Sequence, residues 1–474
     1  MRISSDVSTW FGPLGFLLRV FTPGAWIAFG LVLGGIPFWG RLSTALIPTL
    51  QAPALDAQVD CSKPDVRRFV MLVIPLALLL LTFKVYSLEQ PAFFSLACLV
   101  FGGFAVSYWL PFRLKNTFLI LLSLAGAYVL LSPGVASLLI VVGLTLFGIV
   151  RSRLAFRWRV TLLLGILAIF AYGRATGRFH IPGDFWPVFG AIFMFRMIVY
   201  LYDVKHLPGP VHLKDYLSYF FLLPNYYFLL FPVIDFQTFR RSYFKRDIHL
   251  VAQQGVWWIF RGTTHLLAYR IVYQLQAIFS PPYVPVAIAV VAKIIFCYLL
   301  YLQVSGQFHI IAGMLHLFGY DLPETNRRYL LAHSINDFWR RINIYWKDFM
   351  VKICYFPAYF KLRRSGELRA ELLGTVLVVV LTWLLHVYQF FWLQGKLRMS
   401  VNDTLFWGIL GSLMVANVWI ENRYKKCAPQ TGWSARLKNT AQIAATFAFI
   451  ALLWSMWNAD SVTEWFDFLR SGNI

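Results

Sequence analysis

Charge is scarce in this chain: only 14% of its 474 residues are Asp, Glu, Lys or Arg, where ordinary soluble domains carry about a quarter. A water-soluble globular fold is therefore excluded on composition. Acidic residues are scarcer still, 21 Asp+Glu against 43 Lys+Arg, leaving a net charge of +22. The five cysteines, Cys61, Cys98, Cys297, Cys354 and Cys427, show no CxxC spacing, which removes sequence support for a zinc site or a disulfide framework. No Walker-type glycine loop and no GxSxG elbow occurs, so ATP-driven transport and α/β-hydrolase chemistry lose their usual signatures. HExxH, cysteine clusters and metal-spaced carboxylate pairs are also missing; neither a metal site nor a bound cofactor is expected.

What is present is apolar. Hydrophobic residues make up 59% of the chain, mean hydropathy is +0.63, and apolar runs recur from Trp26 to Trp454 with no long polar linker. One integral membrane domain over 1–474 follows. Only a backbone that hydrogen-bonds to itself survives in hydrocarbon, so apolar runs of about 18 residues or more read as spanning helices. Spans are expected near residues 25–38, 70–86, 93–110, 118–131, 135–150, 160–172, 185–202, 216–233, 256–273, 284–302, 372–392, 405–420 and 441–457. The fold class is all-α and polytopic, with about eleven to thirteen transmembrane or re-entrant helices. The N-terminal apolar stretch after Arg2 is followed by no small-residue cleavage site and is expected to be retained.

The basic excess falls in short loops between apolar runs, the pattern of cytoplasmic loops rather than of a nucleic-acid binder, and it suits anionic lipid head groups. Lys361, Arg363, Arg364 and Arg369 fill one such loop, and Arg423, Lys425, Lys426, Arg436 and Lys438 another. Two spans separate these loops, so both are expected to be cytoplasmic. The tail carrying Asp460, Glu464 and Asp467 is then predicted to be extracytoplasmic.

Residues 305–360 do not read as a simple span. Asn336, Asp337, Arg340, Arg341, Asn343, Lys347, Asp348 and Lys352 alternate there with Phe338, Trp339, Tyr345, Trp346 and Phe349. Such a mixture fits a re-entrant or protein-buried segment lining a polar cavity, since charged segments at membrane depth need shielding. Of the nine histidines, most lie near charged loops, whereas His386 sits inside an apolar run, about 22 Å of helix rise beyond Glu371. An intramembrane imidazole is costly unless it faces a cavity or partner, and its ordinary pKa near 6.5 suits it to accept a hydroxyl proton. His309 and His316, seven residues apart, can share a helix face but stand about 10 Å apart, too far to hold one metal.

The stretch Ser305-Gly306-Gln307-Phe308-His309, Gly313, Leu317-Phe318-Gly319, Leu322-Pro323, Asn326, Phe338-Trp339-Arg340-Arg341-Ile342-Asn343 resembles the membrane-bound O-acyltransferase family. It is similar to the bacterial branch that acetylates alginate or D-alanylates teichoic acid, with its SGY, LFG, LPEN-like and FWRRWH elements. Here Ile342-Asn343 replaces the usual terminal Trp-His, and His309 stands where an acidic residue is usual. From Phe338 through Asn343, Lys347, Lys352, Tyr355, Phe356 and Pro357 the segment looks like the FWxxWN…YFP stretch of eukaryotic diacylglycerol and sterol acyltransferases. Upstream, Phe195 to Val204 resembles the family's ISYLxDV-like helix, and Leu230 to Asp235 with Arg240-Arg241 its FFP…GPI…R loop. The resemblance covers about 195–392, and the glycine of the bacterial WHG pattern is missing beside His386.

The resemblance implies helices around a central tunnel and transfer of an acyl group, acetyl or another short chain, from acyl-CoA or another acyl thioester to a hydroxyl of an envelope glycan, a lipid or a secreted product. It implies His386 and Asn343 as the catalytic pair, with Arg340, Arg341, Lys347, Lys352 and Trp339 holding the acyl donor. Location in a bacterial inner membrane and an extracytoplasmic partner acyltransferase or an acyl carrier protein go with it. The competing class is a transporter or flippase for a lipid-linked or glycan precursor. No internal repeat of the kind common in secondary transporters is visible.

Overall fold

The computed structural model describes residues 63–207, 211–230, 234–281, 283–397, 399–423 and 433–472. The span expected over 25–38 lies outside them, as do Cys61, Phe231, Pro232, Val233, Lys425, Lys426 and Cys427. All regular structure among the described residues is helical, apart from one isolated bridge between Tyr243 and Tyr320. The order is α1 (Val66–Tyr86), α2 (Pro91–Trp109), α3 (Phe112–Leu130), α4 (Pro133–Arg151), α5 (Phe156–Thr176), a π-helical stretch Pro187–Met194 leading into α6 (Phe195–Lys205), α7 (Leu213–Phe220), α8 (Phe236–Ser242) and α9 (Ile248–Ile278). Then come α10 (Val286–Leu299), α11 (Tyr301–Leu317), α12 (Ile335–Arg341), α13 (Ile344–Met350), a π turn Val351–Tyr355, α14 (Phe356–Leu362), α15 (Glu367–Gln394), α16 (Val401–Arg423), α17 (Trp433–Asn458) and α18 (Val462–Ser471).

Ten described helices are long and apolar enough to cross a membrane, α10 and α11 counting together as one 32-residue helix. The chain is a multi-pass, all-α membrane protein. Two expected spans take other forms. Of the span expected over 216–233, the described residues 216–230 form no single spanning helix: α7 ends at Phe220, and a 3₁₀ turn Leu223–Tyr226 follows. Pro224 has no N–H to extend a helix. Buried Arg196 then fixes the chain beside that turn, donating to Tyr219 O (2.7 Å) and Asn225 Oδ1 (3.1 Å). Residues 256–273 lie within the longer α9, which is not among the ten because Gln253, Gln254, Arg261, His265 and Arg270 dilute its apolar surface.

Arg261 is met by Glu324 and Arg270 by the carbonyls of Tyr86 and Ser87, while His265 reaches Ser305 of the antiparallel α11, against which α9 packs closely. Glycines face glycines at both crossings: a Cβ on Gly262 would lie 2.5 Å from Gly306 O, and one on Gly255 2.7 Å from Gly313 O. Close backbone approach is what small residues provide at membrane helix contacts. Gly262→Ala meets backbone that cannot swing away, and is expected to destabilise the protein by about 1–3 kcal/mol. A lowered melting midpoint in detergent would show it. Gly102→Ala, with nothing within 4 Å of the new Cβ, is the control and should leave the midpoint in place.

Contacts between helix ends define two faces. On one, Arg68 pairs with Asp247 (3.8 Å), Arg246 with Asp321 (2.5 Å) and Arg340 with Glu421 (4.0 Å), and Asn422 donates to Glu371 (2.6 Å). Arg151 reaches Val211 O on the same face (3.0 Å). On the other, Arg270 holds Tyr86 O (2.5 Å) and Ser87 O, Arg174 holds Leu393 O (3.2 Å), and Asn402 holds Ala459 O (2.8 Å). The loop 361–369 and the arginines at 151–159 belong to the first face, the tail after Asn458 to the second. We refer to the first as the basic face.

Candidate functional site

Helix α15 starts at the basic face with Glu367 and carries His386 about 28 Å along its axis, leaving about 12 Å to Gln394. The His386 Nδ1 lies 2.8 Å from the carbonyl of Thr382, one turn back. A carbonyl only accepts, so Nδ1 must carry the proton, and Nε2 is left with its lone pair. No described residue hydrogen-bonds Nε2. The ring is partly buried, edge-on to Trp346 (centroids 5.0 Å apart) and against Trp407 (4.9 Å). One turn before Trp407, buried Asp403 accepts from Trp457 Nε1 (2.5 Å) and Ser400 Oγ (2.9 Å).

Asn343 sits at the junction of α12 and α13 with φ +39° and ψ +61°. Left-handed backbone is costly for most side chains but tolerated by asparagine, whose short amide can bond locally. Its Oδ1 caps α13, accepting from the Trp346 N–H at 3.3 Å, while its own N–H donates to Asn326 Oδ1 at 2.8 Å. The cap demands an acceptor, so Nδ2 is the free end, and no described residue bonds it. Asn343 and His386 share no hydrogen bond. They meet through Trp346, which Asn343 caps and whose indole packs on His386 and donates to Thr382 Oγ1 at 3.4 Å.

Beside Asn343, toward the basic face, is a cavity of about 850 Å³ lined by Trp257, Arg261, Glu324, Arg327, Arg328, Asp337, Arg340 and Arg341. Five guanidiniums face two carboxylates. Arg261 is held by Glu324 (2.5 Å) and Arg341 by Asp337 (2.8 Å). Arg327 and Arg328 have no carboxylate partner among the described residues, and Arg340 has Glu421 only at 4.0 Å. The cavity has the size of a small-molecule site and an unneutralised positive lining.

The residues expected from sequence to hold an acyl donor therefore divide. Arg340 and Arg341 line the cavity. Trp339 does not; it packs against two buried apolar clusters, one containing Phe338 and the other Phe349. Lys347 pairs with its neighbour Asp348 (2.6 Å). Lys352 is elsewhere, clamped between Asp203 (2.5 Å) and Asp235 (2.9 Å). Burial disfavours its charge, yet the two carboxylates more than compensate and hold its pKa above the ordinary value. Burial likewise works against the Asp235 carboxylate, but hydrogen bonds from Thr238 and Lys352 leave its pKa below the ordinary value. The Lys352–Asp235 pair of the clamp thus contributes to stability above the usual carboxylate range, loses that contribution as pH falls through the depressed Asp235 value, and loses it again as pH rises past the elevated Lys352 value. Lys352→Met strands the fully buried Asp203 and is expected to destabilise the protein by about 3–5 kcal/mol, part of which Asp203→Asn should restore. Thermal unfolding of the single and double variants measures both.

The sequence reading missed Arg261, Arg327, Arg328, Trp346 as the intermediary, and Trp407. Arg261 carried a signal: it is a charge directly after the apolar run Trp257-Trp258-Ile259-Phe260, within an expected span. His309 and His316 do share a face of α11, both against Trp258, with ring centroids 6.2 and 4.7 Å away. His309 Nδ1 meets Thr325 Oγ1 at 3.2 Å, and His316 Nδ1 meets Ala312 O at 2.7 Å.

No protein-family model matches the chain, and no curated protein does.

Proposed function

We propose that the protein is a membrane-bound O-acyltransferase that takes an acyl group from a thioester bound at the basic face and passes it to a hydroxyl. The observation that carries this reading is the setting of His386: Nδ1 locked by a backbone carbonyl, Nε2 bearing an unengaged lone pair, and the ring joined through Trp346 to Asn343 beside an arginine-lined cavity. A base oriented through its other nitrogen is the arrangement general-base catalysis uses.

In the reaction, Nε2 removes the acceptor hydroxyl's proton while its oxygen attacks the thioester carbonyl. The Thr382 carbonyl stabilises the resulting imidazolium through Nδ1–H. Asn343 Nδ2 donates to the carbonyl oxygen as charge builds on it. The C–S bond then breaks, and the imidazolium returns its proton to the departing thiolate. Ester and free thiol are the products, and no proton is gained or lost overall.

The arginine cavity accounts for the acyl donor. Coenzyme A carries phosphates that guanidiniums bind by charge-assisted hydrogen bonds, and Trp257 supplies an aromatic wall for its base. With the basic face cytoplasmic by the positive-inside rule, the donor enters from the cytoplasm and the C-terminal tail is extracytoplasmic. His386 stands nearer the opposite face, which favours an acceptor arriving from the extracytoplasmic side: an envelope glycan, a lipid or a secreted product, with a partner protein able to complete delivery. A bacterial inner membrane is the matching location. The test is release of free thiol from acetyl-CoA by purified protein supplied with candidate acceptors. Acceptor flux across vesicles without any thioester would instead identify a transporter.

A further inference from the structure

We infer that Asn326 is a positioning residue that transmits occupancy of the arginine cavity to the setting of His386; this rests on the reading above in taking the cavity as the seat of a phosphate-bearing ligand. Asn326 is fully buried in the loop between α11 and α12. Its Oδ1 accepts from the Asn343 N–H at 2.8 Å and from Tyr301 OH at 3.3 Å, and its backbone carbonyl accepts from Arg261 Nη2 at 3.4 Å. The Nδ2 end is buried without a hydrogen-bond partner among the described residues. An amide that uses only its acceptor end is there for that end.

Two backbone bonds flank the contact, Arg327 N–H to Arg341 O and Ile344 N–H to Thr325 O, both 2.8 Å. The loop that lines the cavity and the turn that carries Asn343 therefore move together. Asn343 holds a left-handed backbone that few side chains adopt, and such a conformation persists only where surrounding contacts fix it. Asn326 Oδ1 is one of those contacts. From Asn343 the line continues through Oδ1 to the Trp346 N–H, from the Trp346 indole to Thr382 Oγ1, and from Thr382 O to His386 Nδ1.

The cavity end of this line responds to an anion. Arg261 divides its donors between Glu324 Oε1 at 2.5 Å and the Asn326 carbonyl at 3.4 Å. A phosphate competes for the weaker bond first, releases the Asn326 carbonyl, and lets the loop reset against Asn343. Occupancy of the cavity thereby changes how Trp346 and Thr382 hold the histidine.

The test uses the full-length protein in detergent with inorganic pyrophosphate as the cavity probe. The readout is the rate at which diethyl pyrocarbonate modifies His386, mapped by peptide mass spectrometry. In the wild type, saturating pyrophosphate is expected to change that rate about threefold or more. Asn326→Ala is expected to bind pyrophosphate as the wild type does by calorimetry yet lose the response, whereas Asn326→Asp, which keeps an acceptor oxygen in place, retains it. A response that survives in Asn326→Ala, or a wild type without one, overturns the inference. Should the alanine variant not fold, loss of the response in folded Asn326→Asp overturns it equally. Absence of thiol release in every assay would sink the acyltransferase reading while leaving an observed His386 response intact. Thiol release without the response sinks this inference alone.

Discussion

His386→Ala is expected to lower thiol release from acetyl-CoA by about three orders of magnitude, within the range general-base catalysis supplies. The expectation follows from what the substitution removes and what it leaves. Thr382 keeps its helical hydrogen bonding, Trp346 keeps its cap from Asn343 and its bond to Thr382, and the arginine cavity is untouched. Binding of the thioester should survive, so the loss belongs in kcat with KM little changed, the mark of a group that acts in the transition state. Asn343→Ala is a less clean deletion, because the same side chain caps α13 and supports a left-handed backbone; some of its cost will appear as lowered stability. His386→Ala releasing thiol at the wild-type rate would end the catalytic assignment.

The spans were legible in the sequence because bilayer thickness imposes a length and hydrocarbon a composition, and neither needs a partner. Residues 216–233 misled because their apolar side chains satisfy the hydropathy of a span while Pro224 and the guanidinium of Arg196, distant in sequence, break the backbone instead. Residues 256–273 misled less: the helix is there, but its charges are met by distant groups, Arg261 by Glu324 and the Asn326 carbonyl and Arg270 by the carbonyls at the end of α1, contacts that a single stretch of sequence does not display. The position of His386 within a spanning helix was legible because it is a polar group in an apolar run.

The cationic residues were hardest to sort, since a positive charge near a short helix looks the same whatever it faces. Lys352 and Arg340 lie twelve positions apart, yet one is neutralised by Asp203 and Asp235 from distant elements and the other opens onto a cavity. Only tertiary contact separates a cation held in an ion pair from one that lines a cavity. Arg327 and Arg328 escaped notice for the same reason. Nothing beside them in sequence marks a cavity, and they line one only in the company of Arg261 and Arg341.

Replacing both Arg327 and Arg328 by glutamine is expected to raise KM for acetyl-CoA about a hundredfold while kcat changes little. A charge-assisted hydrogen bond contributes about 1.5–3 kcal/mol, and two such contacts support an effect of that size even after partial compensation by Arg340. These two positions are chosen because they have no carboxylate partner among the described residues, so their removal strands no buried anion. Arg261→Gln, by contrast, leaves Glu324 unpaired at the cavity wall and mixes electrostatic loss with local rearrangement. Salt provides an independent check. The wild-type KM should climb with ionic strength as phosphate contacts are screened, and the double variant should climb less. Pantetheine thioesters, which lack the nucleotide phosphates, should be used equally well by both proteins. If the double variant kept wild-type KM for acetyl-CoA, the cavity would not be the seat of the acyl donor, and the roles given to Arg340 and Arg341 would fall with it.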